Sequence, residues 1–217
     1  MQNVTARHNM ISQQLRTGGV TYEPLLYLYE RFPRAEFVPE VYKNFAYSDM
    51  RIPLDHMQHM LTPLEEALML KALDLRGNEV VLEIGTGTGF FTAMLSYMCK
   101  HVYSVDYFKS FTDYAADKLS QHKVNNVSLI TNNAINGWFQ QEPYNVIVYT
   151  GALRELPDTA LLQVLCGGKL LALIETGPIV KATLHTLDHQ NQWHIRQLFE
   201  TQTALLIDTA SKPVFVF

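Results

Sequence analysis

Residues 80–91 read VVLEIGTGTGFF, an apolar run that stops at an acidic side chain and is followed by three glycines at alternate positions. A continuous apolar run is typical of a strand that is buried on both faces of a parallel sheet. A glycine-rich loop between such a strand and a helix usually holds a ligand. The stretch therefore predicts a strand, a ligand-binding loop and a helix, in that order.

From residue 79 onward, strand and helix patterns alternate along the chain. The predicted strands are 79–85, 101–106, 126–131, 145–150 and 169–176, and the predicted helices are 88–98, 111–122 and 159–168. This alternation is typical of a doubly wound, Rossmann-like α/β fold with a mostly parallel sheet. The segments 182–200 and 203–209 have no helix between them and predict antiparallel strands that close one edge of the sheet.

Residues 1–78 instead predict short helices that are separated by loops. One helix stops at a Gly-Gly pair (18–19), a second breaks at Pro33, and a third is expected to end at Gly77. Thr62 is the expected N-cap of the third helix, because a proline and two acidic residues follow it. We therefore expect one domain over 1–217, in which a helical cap and substrate loop (1–78) precede an α/β core (79–217).

The composition limits the classes of function. The chain has 217 residues, a net charge of −4 at pH 7 and a hydrophobic fraction of 47%. These values favour a folded protein with no bulk attraction to nucleic acid or to an anionic membrane. No apolar run approaches the roughly 18 residues of a membrane span, and the N-terminal residues lack the apolar region of a signal peptide. Cys99 and Cys166 predict buried free thiols. A cytoplasmic protein is expected.

The spacing of the glycines argues against two common phosphate-binding motifs. Gly85, Gly87 and Gly89 place the third glycine too early for G-x-G-x-x-G, and the lysine of a P-loop is absent. The carboxylate of Glu83 beside the loop would repel a pyrophosphate and attract an ammonium or a sulfonium group. Asp106 ends the next strand, where a carboxylate can accept bonds from both ribose hydroxyls of an adenosine. S-adenosylmethionine is therefore the predicted cofactor, ahead of NAD and of a turn without a ligand.

The pattern E-x-G-x-G-x-G, with an acidic residue at the end of the next strand, resembles the class I methyltransferases. The flanking sequences MISQQLRTGGV (10–20), RFPRAEFVPE (31–40), AYSDMRIPL (46–54) and YNVIVYTGA (144–152) are similar to those of the protein-L-isoaspartate O-methyltransferases. This resemblance covers nearly the whole chain. It implies an enzyme that repairs aged protein by methylating the stray α-carboxylate of an isoaspartyl linkage, with an isoaspartate-carrying protein or peptide as its partner.

The same resemblance assigns residues to the cofactor site. The positions expected to contact the cofactor are Gln58, Glu83, Gly85, Thr86, Gly87, Gly89, Asp106, Tyr107, Asn133, Ala134 and Thr150. Asn133 stands where the family has an aspartate that meets the adenine amino group. Its amide oxygen can still accept that bond.

The substrate loop departs from the family, whose pattern is P-[IL]-G-x-G-Q-T-I-S-x-P. In the family, the Thr and the Ser line the place where the cofactor and the isoaspartyl carboxylate meet. This chain reads PLDHMQHMLTP (53–63), so His59 stands at the Thr position and Leu61 at the Ser position. Thr62 reaches the Ser position only if the alignment slips by one residue. These three residues are the candidates on the acceptor side, and the carboxylate of Asp55 is expected to repel an anionic acceptor.

These changes leave three interpretations open. An isoaspartyl carboxylate is ionised at neutral pH and needs no general base, so losing one orienting hydroxyl costs about 1.5–3 kcal/mol and not the whole activity. His59 is the candidate to compensate, unless it is a solvated loop residue. The alternatives are a methyltransferase of the same fold with a changed small-molecule or protein acceptor, and a non-catalytic protein that binds S-adenosylmethionine.

Three further groups of residues favour a structural interpretation. His56 and His59 beside Asp55 have metal-like spacing, but no further ligand follows, so no metal is expected. Four arginines predict a solvated helix face, with contact to an anionic substrate or RNA as the alternative: Arg7, Arg16, Arg31 and Arg34. Five aromatic residues predict core packing rather than base stacking: Tyr22, Tyr27, Tyr29, Phe32 and Phe37. The sequence does not distinguish a monomer from a dimer.

Overall fold

The computed structural model describes residues 2–207. The part before residue 78 is a helical layer that carries one short β-hairpin. Its elements are α1 (Gln2–Asn9), a π-helical turn (Met10–Leu15), α2 (Glu23–Arg31), the hairpin strands β1 (Ile52–Pro53) and β2 (His59–Met60), and α3 (Pro63–Leu73). Short 3-10 helices at Arg34–Glu36, Glu40–Phe45 and Asp55–Met57 lie between these elements.

The rest of the described chain forms a seven-stranded sheet with helices between its first strands. The elements are β3 (Val80–Ile84), α4 (Phe90–Met98), β4 (His101–Asp106), α5 (Lys109–Gln121), β5 (Val127–Thr131), β6 (Tyr144–Leu153), α6 (Asp158–Leu161), β7 (Val164–Thr176), β8 (Ile179–Leu187) and β9 (Trp193–Thr201). The strand order is β5-β4-β3-β6-β7-β8-β9. The pairs from β5 to β7 are parallel, and β8 and β9 are antiparallel. The predicted doubly wound sheet with antiparallel C-terminal edge strands is confirmed.

Two predicted elements are wrong. The helix predicted over 159–168 is only the single turn of α6, and β7 already begins at Val164, which pairs with Tyr144. The apolar run of this segment fits a helix as well as a strand, and its pairing with β6 decides between them. Residues 203–207 form no edge strand but a single parallel bridge, between Leu205 and Ala152 of β6. Residues 208–209 of that predicted strand lie outside the described residues.

The start of α3 shows how local sequence fixes a helix. Thr62 Oγ1 accepts a bond from the Glu65 N–H at 3.3 Å, and Glu65 Oε2 accepts one from the Thr62 N–H at 2.8 Å. This reciprocal capping box satisfies two backbone donors and confirms the predicted N-cap. The helix ends at Leu73, earlier than the predicted end at Gly77, because Asp74 takes a left-handed conformation (φ 47°).

The helical layer and one face of the sheet share a hydrophobic cluster. Met10, Leu25 and Phe37 of the layer are buried in the same cluster as Val81 of β3 and Leu171 of β7. The layer therefore packs against the face of the central strands to which Val81 and Leu171 contribute. The single domain predicted over 1–217 stays a prediction that this shared cluster supports.

The aromatic residues of the helical layer divide into two groups. Tyr29, Phe32 and Phe37 are buried, as the sequence predicts. Tyr22 and Tyr27 are more than half exposed, at 59% and 51% of their surface. The prediction of core packing is wrong for these two, which lie at the N-cap of α2 and on its exposed face.

The two cysteines also differ from each other. Cys99 is buried, as predicted, whereas Cys166 is exposed, so the prediction of two buried thiols is wrong for Cys166. Its position in the irregular start of β7, beside His189, accounts for the exposure. Between residues 2 and 207, no helix has both the length and the apolar character that a membrane span requires.

Candidate active site

A cavity lies at the carboxyl ends of the central parallel strands, where open α/β sheets bind their ligands. It contains about 920 Å³ of space free of protein atoms, part of it open to solvent. Its wall comes from the loop after β3, the end of β4, the residues after β5, the β1–β2 hairpin and the segment 203–207. Among the described residues that line it there is no lysine or arginine.

The glycine loop has a backbone conformation that disfavours residues other than glycine. Gly85 has φ 102°, and a Cβ there would lie 2.3 Å from Thr150 Oγ1. The Thr150 hydroxyl donates to the Gly85 carbonyl at 2.5 Å, so β6 holds the loop in this position. Gly87 also has a positive φ, 52°. Gly85, Gly87 and Thr150 all line the cavity, which is consistent with the cofactor contacts predicted for them.

Asp106 connects the end of β4 to this loop. Its Oδ2 accepts a bond from the Gly87 N–H and its Oδ1 one from the Phe108 N–H, both at 2.9 Å. Burial raises the pKa of Asp106, while these backbone donors oppose the rise. Each oxygen keeps a lone pair for a further donor. Asp106 therefore presents a fixed hydrogen-bond acceptor to the cavity.

Glu83 does not reach the cavity. Along β3 its side chain shares a face with Val81 and points toward α4, where it is 0% exposed. Its Oε2 accepts bonds from the hydroxyls of Thr92 and Ser104, both at 2.6 Å, and its Oε1 has no partner within the described part of the chain. Burial raises the pKa of Glu83 to about 8. The predicted contact between an anionic Glu83 and the ligand is therefore wrong.

Gly89 has a packing role rather than a place on the cavity wall. It precedes α4 with φ 79°, and a Cβ there would lie 2.8 Å from the Cβ of Ala115 in α5. The predicted contact of Gly89 with the cofactor is therefore wrong. Thr86 does line the cavity, with its hydroxyl 2.6 Å from that of Ser104.

The residues after β4 and β5 form the opposite wall, and the cofactor contacts predicted for them stay predictions. Tyr107, Asn133 and Ala134 all line the cavity. Asn133 Oδ1 accepts a bond from the Ile135 N–H at 3.0 Å, which turns this loop back toward the sheet. The sequence missed Phe111 of α5, which joins this wall from the helix side. An amphipathic helix pattern does not reveal which aromatic side chain closes a site.

The tip of the β1–β2 hairpin lies over the end of β4. The His56 ring stacks on Phe108, with ring centres 3.7 Å apart and planes 1° apart. His56 and Met57 both have a positive φ, 57° and 55°, which is uncommon for residues with side chains. Asp55 is exposed and is not among the residues that line the cavity. The expected repulsion of an acceptor by Asp55 is therefore not supported by its position.

The base of the hairpin forms the end of the cavity that the family resemblance assigns to the acceptor, called the acceptor end below. Gln58, His59 and Leu61 line this end. The cofactor contact predicted for Gln58 and the acceptor contacts predicted for His59 and Leu61 stay predictions. Gln58 Nε2 donates to the carbonyl of Leu205 at 3.2 Å. Leu61 is only 4% exposed. Thr62 is not among the cavity-lining residues, because its hydroxyl caps α3, and its predicted acceptor-side role is wrong.

A buried ion pair supports this end, and its acidic member, Glu66, is itself part of the cavity wall. Arg34 Nε lies 3.1 Å from Glu66 Oε2, and a second guanidinium nitrogen donates to the Leu61 carbonyl at 2.5 Å. Arg34 is 0% exposed, so the solvated helix face predicted for it is wrong. Burial raises the pKa of Glu66 to about 7, and Arg34 opposes this rise. Only the folded chain brings these two residues together.

The segment 203–207 closes the acceptor end and was missed by the sequence analysis. Thr203, Leu206 and Ile207 line the cavity. The segment is held by backbone bonds on both sides of Ala152, whose N–H donates to the Ala204 carbonyl at 2.8 Å and whose carbonyl accepts from the Leu206 N–H at 2.9 Å. The apolar pattern of this segment predicts a strand, but it does not predict where in the fold the segment lies. Among residues 2–207, no cluster of three or more metal-ligating side chains occurs.

The doubly wound sheet, its glycine loop and the cavity at the strand ends define a Rossmann-like methyltransferase. A Plasmodium falciparum crystal structure has the same fold, with a TM-score of 0.79, 17% identity and coverage of 92% of this chain and 97% of that chain. That protein is assigned to the protein-L-isoaspartate O-methyltransferases and is in complex with S-adenosyl-L-homocysteine.

The family itself follows from the sequence comparisons. The model of the protein-L-isoaspartate (D-aspartate) O-methyltransferases matches residues 5–207. The protein-L-isoaspartate O-methyltransferase of Aliivibrio salmonicida is 31% identical over 202 residues, which are 93% of this chain and 96% of the relative. That of Syntrophus aciditrophicus is 35% identical over 165 residues, 76% of each chain. The chain belongs to the protein-L-isoaspartate (D-aspartate) O-methyltransferase family.

Proposed function

We propose that this protein transfers a methyl group from S-adenosylmethionine to the carboxylate of an isoaspartyl residue in damaged protein. The observation that carries the proposal is the fixed arrangement of Asp106 and Gly87 beside the cavity. Family membership supports the acceptor. The cytoplasmic location expected from the sequence stays a prediction.

The cavity fits the cofactor by its donor and acceptor groups. Asp106 has lone pairs left for the two ribose hydroxyls, and the amide of Asn133 lies on the wall proposed for the adenine. The glycine loop at Gly85 and Gly87 lets the backbone approach the cofactor closely. The cofactor supplies an activated methyl group. The protein residues then have to position the acceptor and exclude water.

A carboxylate acceptor does not require a general base in the cavity. A carboxylate with an ordinary pKa near 4 is ionised at neutral pH, so its oxygen needs no deprotonation before it is methylated. The acceptor must instead lose water and be aligned. Leu61 excludes water, but it offers no hydrogen bond to the acceptor. The activity of this protein on isoaspartyl peptides is therefore expected to be lower than that of members of the family that keep the serine.

The test combines binding with turnover. Titration calorimetry with S-adenosylhomocysteine should show one site, and labelled S-adenosylmethionine should label an isoaspartyl peptide but not its normal aspartyl counterpart. Cofactor binding with turnover only on another acceptor would favour the second candidate, a changed acceptor, which the apolar Leu61 and the buried Glu66 in the wall motivate. Binding without turnover on any acceptor would favour a non-catalytic binding protein.

A further inference from the structure

The imidazole of His59 is held by the segment 203–207 in a way that determines which ring nitrogen carries the proton. We propose that His59 presents its Nδ1–H to the acceptor carboxylate and supplies the orienting hydrogen bond that Leu61 cannot make. Thr203 and Ala204 act as positioning residues, because they fix the tautomer of the ring. This inference rests on the proposed function and specifies how its acceptor is recognised.

The contacts of Nε2 decide the tautomer. The backbone N–H of Ala204 points at His59 Nε2, with a nitrogen–nitrogen distance of 3.3 Å. A backbone N–H can only donate, so Nε2 must hold a lone pair there. The hydroxyl of Thr203 lies 3.0 Å from the same nitrogen and can donate to it as well. A neutral ring with its lone pair on Nε2 carries its single proton on Nδ1.

The ring is kept neutral by its surroundings. Burial lowers the pKa of His59, and the nearby guanidinium of Arg51 lowers it further, while Glu65 acts in the opposite direction. Within residues 2–207, both hydrogen-bond partners of the ring contact Nε2 and none contacts Nδ1. His59 is part of the cavity wall. Since Nε2 already has partners, the Nδ1–H is the ring donor proposed for a ligand of the cavity.

This arrangement selects the class of acceptor. In this tautomer Nδ1 donates and cannot take up a proton, and Nε2 is already occupied by the Ala204 N–H. His59 therefore cannot serve as the general base that an alcohol or an ammonium acceptor would need. It can orient an oxygen that is already ionised. Among the described residues no lysine or arginine lines the cavity, and Glu66 does, so the donor proposed for the carboxylate is the Nδ1–H of His59.

Two isosteric variants separate this role from a structural one. In His59→Asn, the amide nitrogen overlies Nδ1 and keeps the donor, but the contact with Thr203 and Ala204 is lost. In His59→Gln, the amide group overlies Nε2 and its oxygen can keep that contact, but the donor at Nδ1 is lost. A purely structural role predicts that the Gln variant is the more active of the two. The proposal predicts the reverse.

We expect kcat/KM for an isoaspartyl peptide to fall about tenfold to a hundredfold in His59→Gln, as for other hydrogen bonds to a charged group. The fall should be only a few-fold in His59→Asn. The affinity for S-adenosylhomocysteine should stay unchanged in both, since the acceptor donor is not part of the cofactor contacts. A Gln variant as active as the Asn variant, or more active, would overturn the proposal.

The tautomer can also be read directly in the wild-type protein. Nitrogen NMR of the His59 ring, saturated with S-adenosylhomocysteine, should show a protonated Nδ1 and an unprotonated Nε2. Adding an isoaspartyl peptide should shift the Nδ1 resonance. A proton on Nε2, or no shift with saturating peptide, contradicts the inference even if the enzyme is active. Absence of turnover in a protein that shows both NMR features would instead contradict the proposed function.

Discussion

The two ends of the cavity are assembled over different distances along the chain. At the end proposed for the cofactor, formed by the glycine loop and Asp106 and called the cofactor end below, the Gly87 N–H bonds to Asp106 across adjacent strand ends, 19 positions apart in sequence. At the acceptor end, His59 contacts Thr203 across 144 positions. A short motif therefore specifies the first end, whereas the second depends on the folding of the whole chain.

This difference shows where specificity can change in such a fold. At the cofactor end a backbone N–H of the glycine loop bonds to Asp106, and Gly85 leaves no room for a Cβ. At the acceptor end the contacts come from side chains of the hairpin and of 203–207. Side chains can be exchanged without refolding the sheet. The departures from the family pattern at His59 and Leu61 lie where the architecture tolerates them.

The largest effect should come from the ion pair behind the acceptor end. Arg34→Met leaves the Glu66 carboxylate without its partner in a buried site, and it also leaves the carbonyls of Ala46 and Leu61 without a donor. We expect the free energy of unfolding in urea to fall by about 3–5 kcal/mol, as for other broken buried pairs.

The matched control for this variant is Arg16→Met. Arg16 also makes an ion pair, with Glu23, but both side chains are largely exposed. Solvent screens such a pair, so its loss should change stability far less. Equal losses in the two variants would show that the acceptor end does not depend on Arg34.

The next effect concerns the carboxyl group under the glycine loop. The pKa of Glu83 is raised from 4.5 to about 8, so the folded protein keeps a proton that the unfolded chain releases. Stability from this group is therefore present at low pH and is lost as the pH rises toward 8. Glu83→Gln keeps the uncharged form at every pH. Relative to the wild type, it should gain about 3 kcal/mol of stability between about pH 5 and pH 8.

Urea unfolding at the two pH values measures this change, with Glu155→Gln as an exposed control. If the difference between wild type and Glu83→Gln does not vary with pH, Glu83 is ionised in the fold. The cofactor end would then contain a buried negative charge, as the sequence analysis first assumed.

The cofactor end itself is tested by Asp106→Ala. The change removes the acceptor proposed for the ribose hydroxyls and leaves the N–H groups of Gly87 and Phe108 without their partner. Affinity for S-adenosylhomocysteine in calorimetry should fall about tenfold to a hundredfold, given the size of hydrogen bonds to charged groups. Asp113→Ala, an exposed aspartate of α5, should have no effect. A change of less than twofold in Asp106→Ala would remove Asp106 from the site.

What the sequence predicted follows the same division. The sheet, the glycine loop and Asp106 were predictable, because strand periodicity and motif spacing are local properties. The burial of Arg34 and the contribution of 203–207 were not, because each depends on partners far away in sequence. Glu83 is an intermediate case: its position was predicted, but the side-chain alternation of β3 turns it away from the ligand. The helix predicted over 159–168 was wrong because an apolar run alone does not distinguish helix from strand.

The smallest effect, and the one that most sharpens the comparison, concerns Leu61. Its side chain lines the cavity, and the bond from Arg34 to its carbonyl fixes the local backbone, so a serine there should also face the acceptor. Leu61→Ser should raise kcat/KM for an isoaspartyl peptide by up to about tenfold, the value of one charge-assisted bond.

Adding Asp55→Gly to Leu61→Ser should bring no further gain, because Asp55 is exposed outside the cavity wall. When Leu61→Ser is added to His59→Gln, the gain in kcat/KM should be larger than when it is added to the wild type, since the two donors serve the same carboxylate. If Leu61→Ser leaves kcat/KM unchanged both in the wild type and in His59→Gln, neither position orients the acceptor. The backbone of the hairpin would then do so.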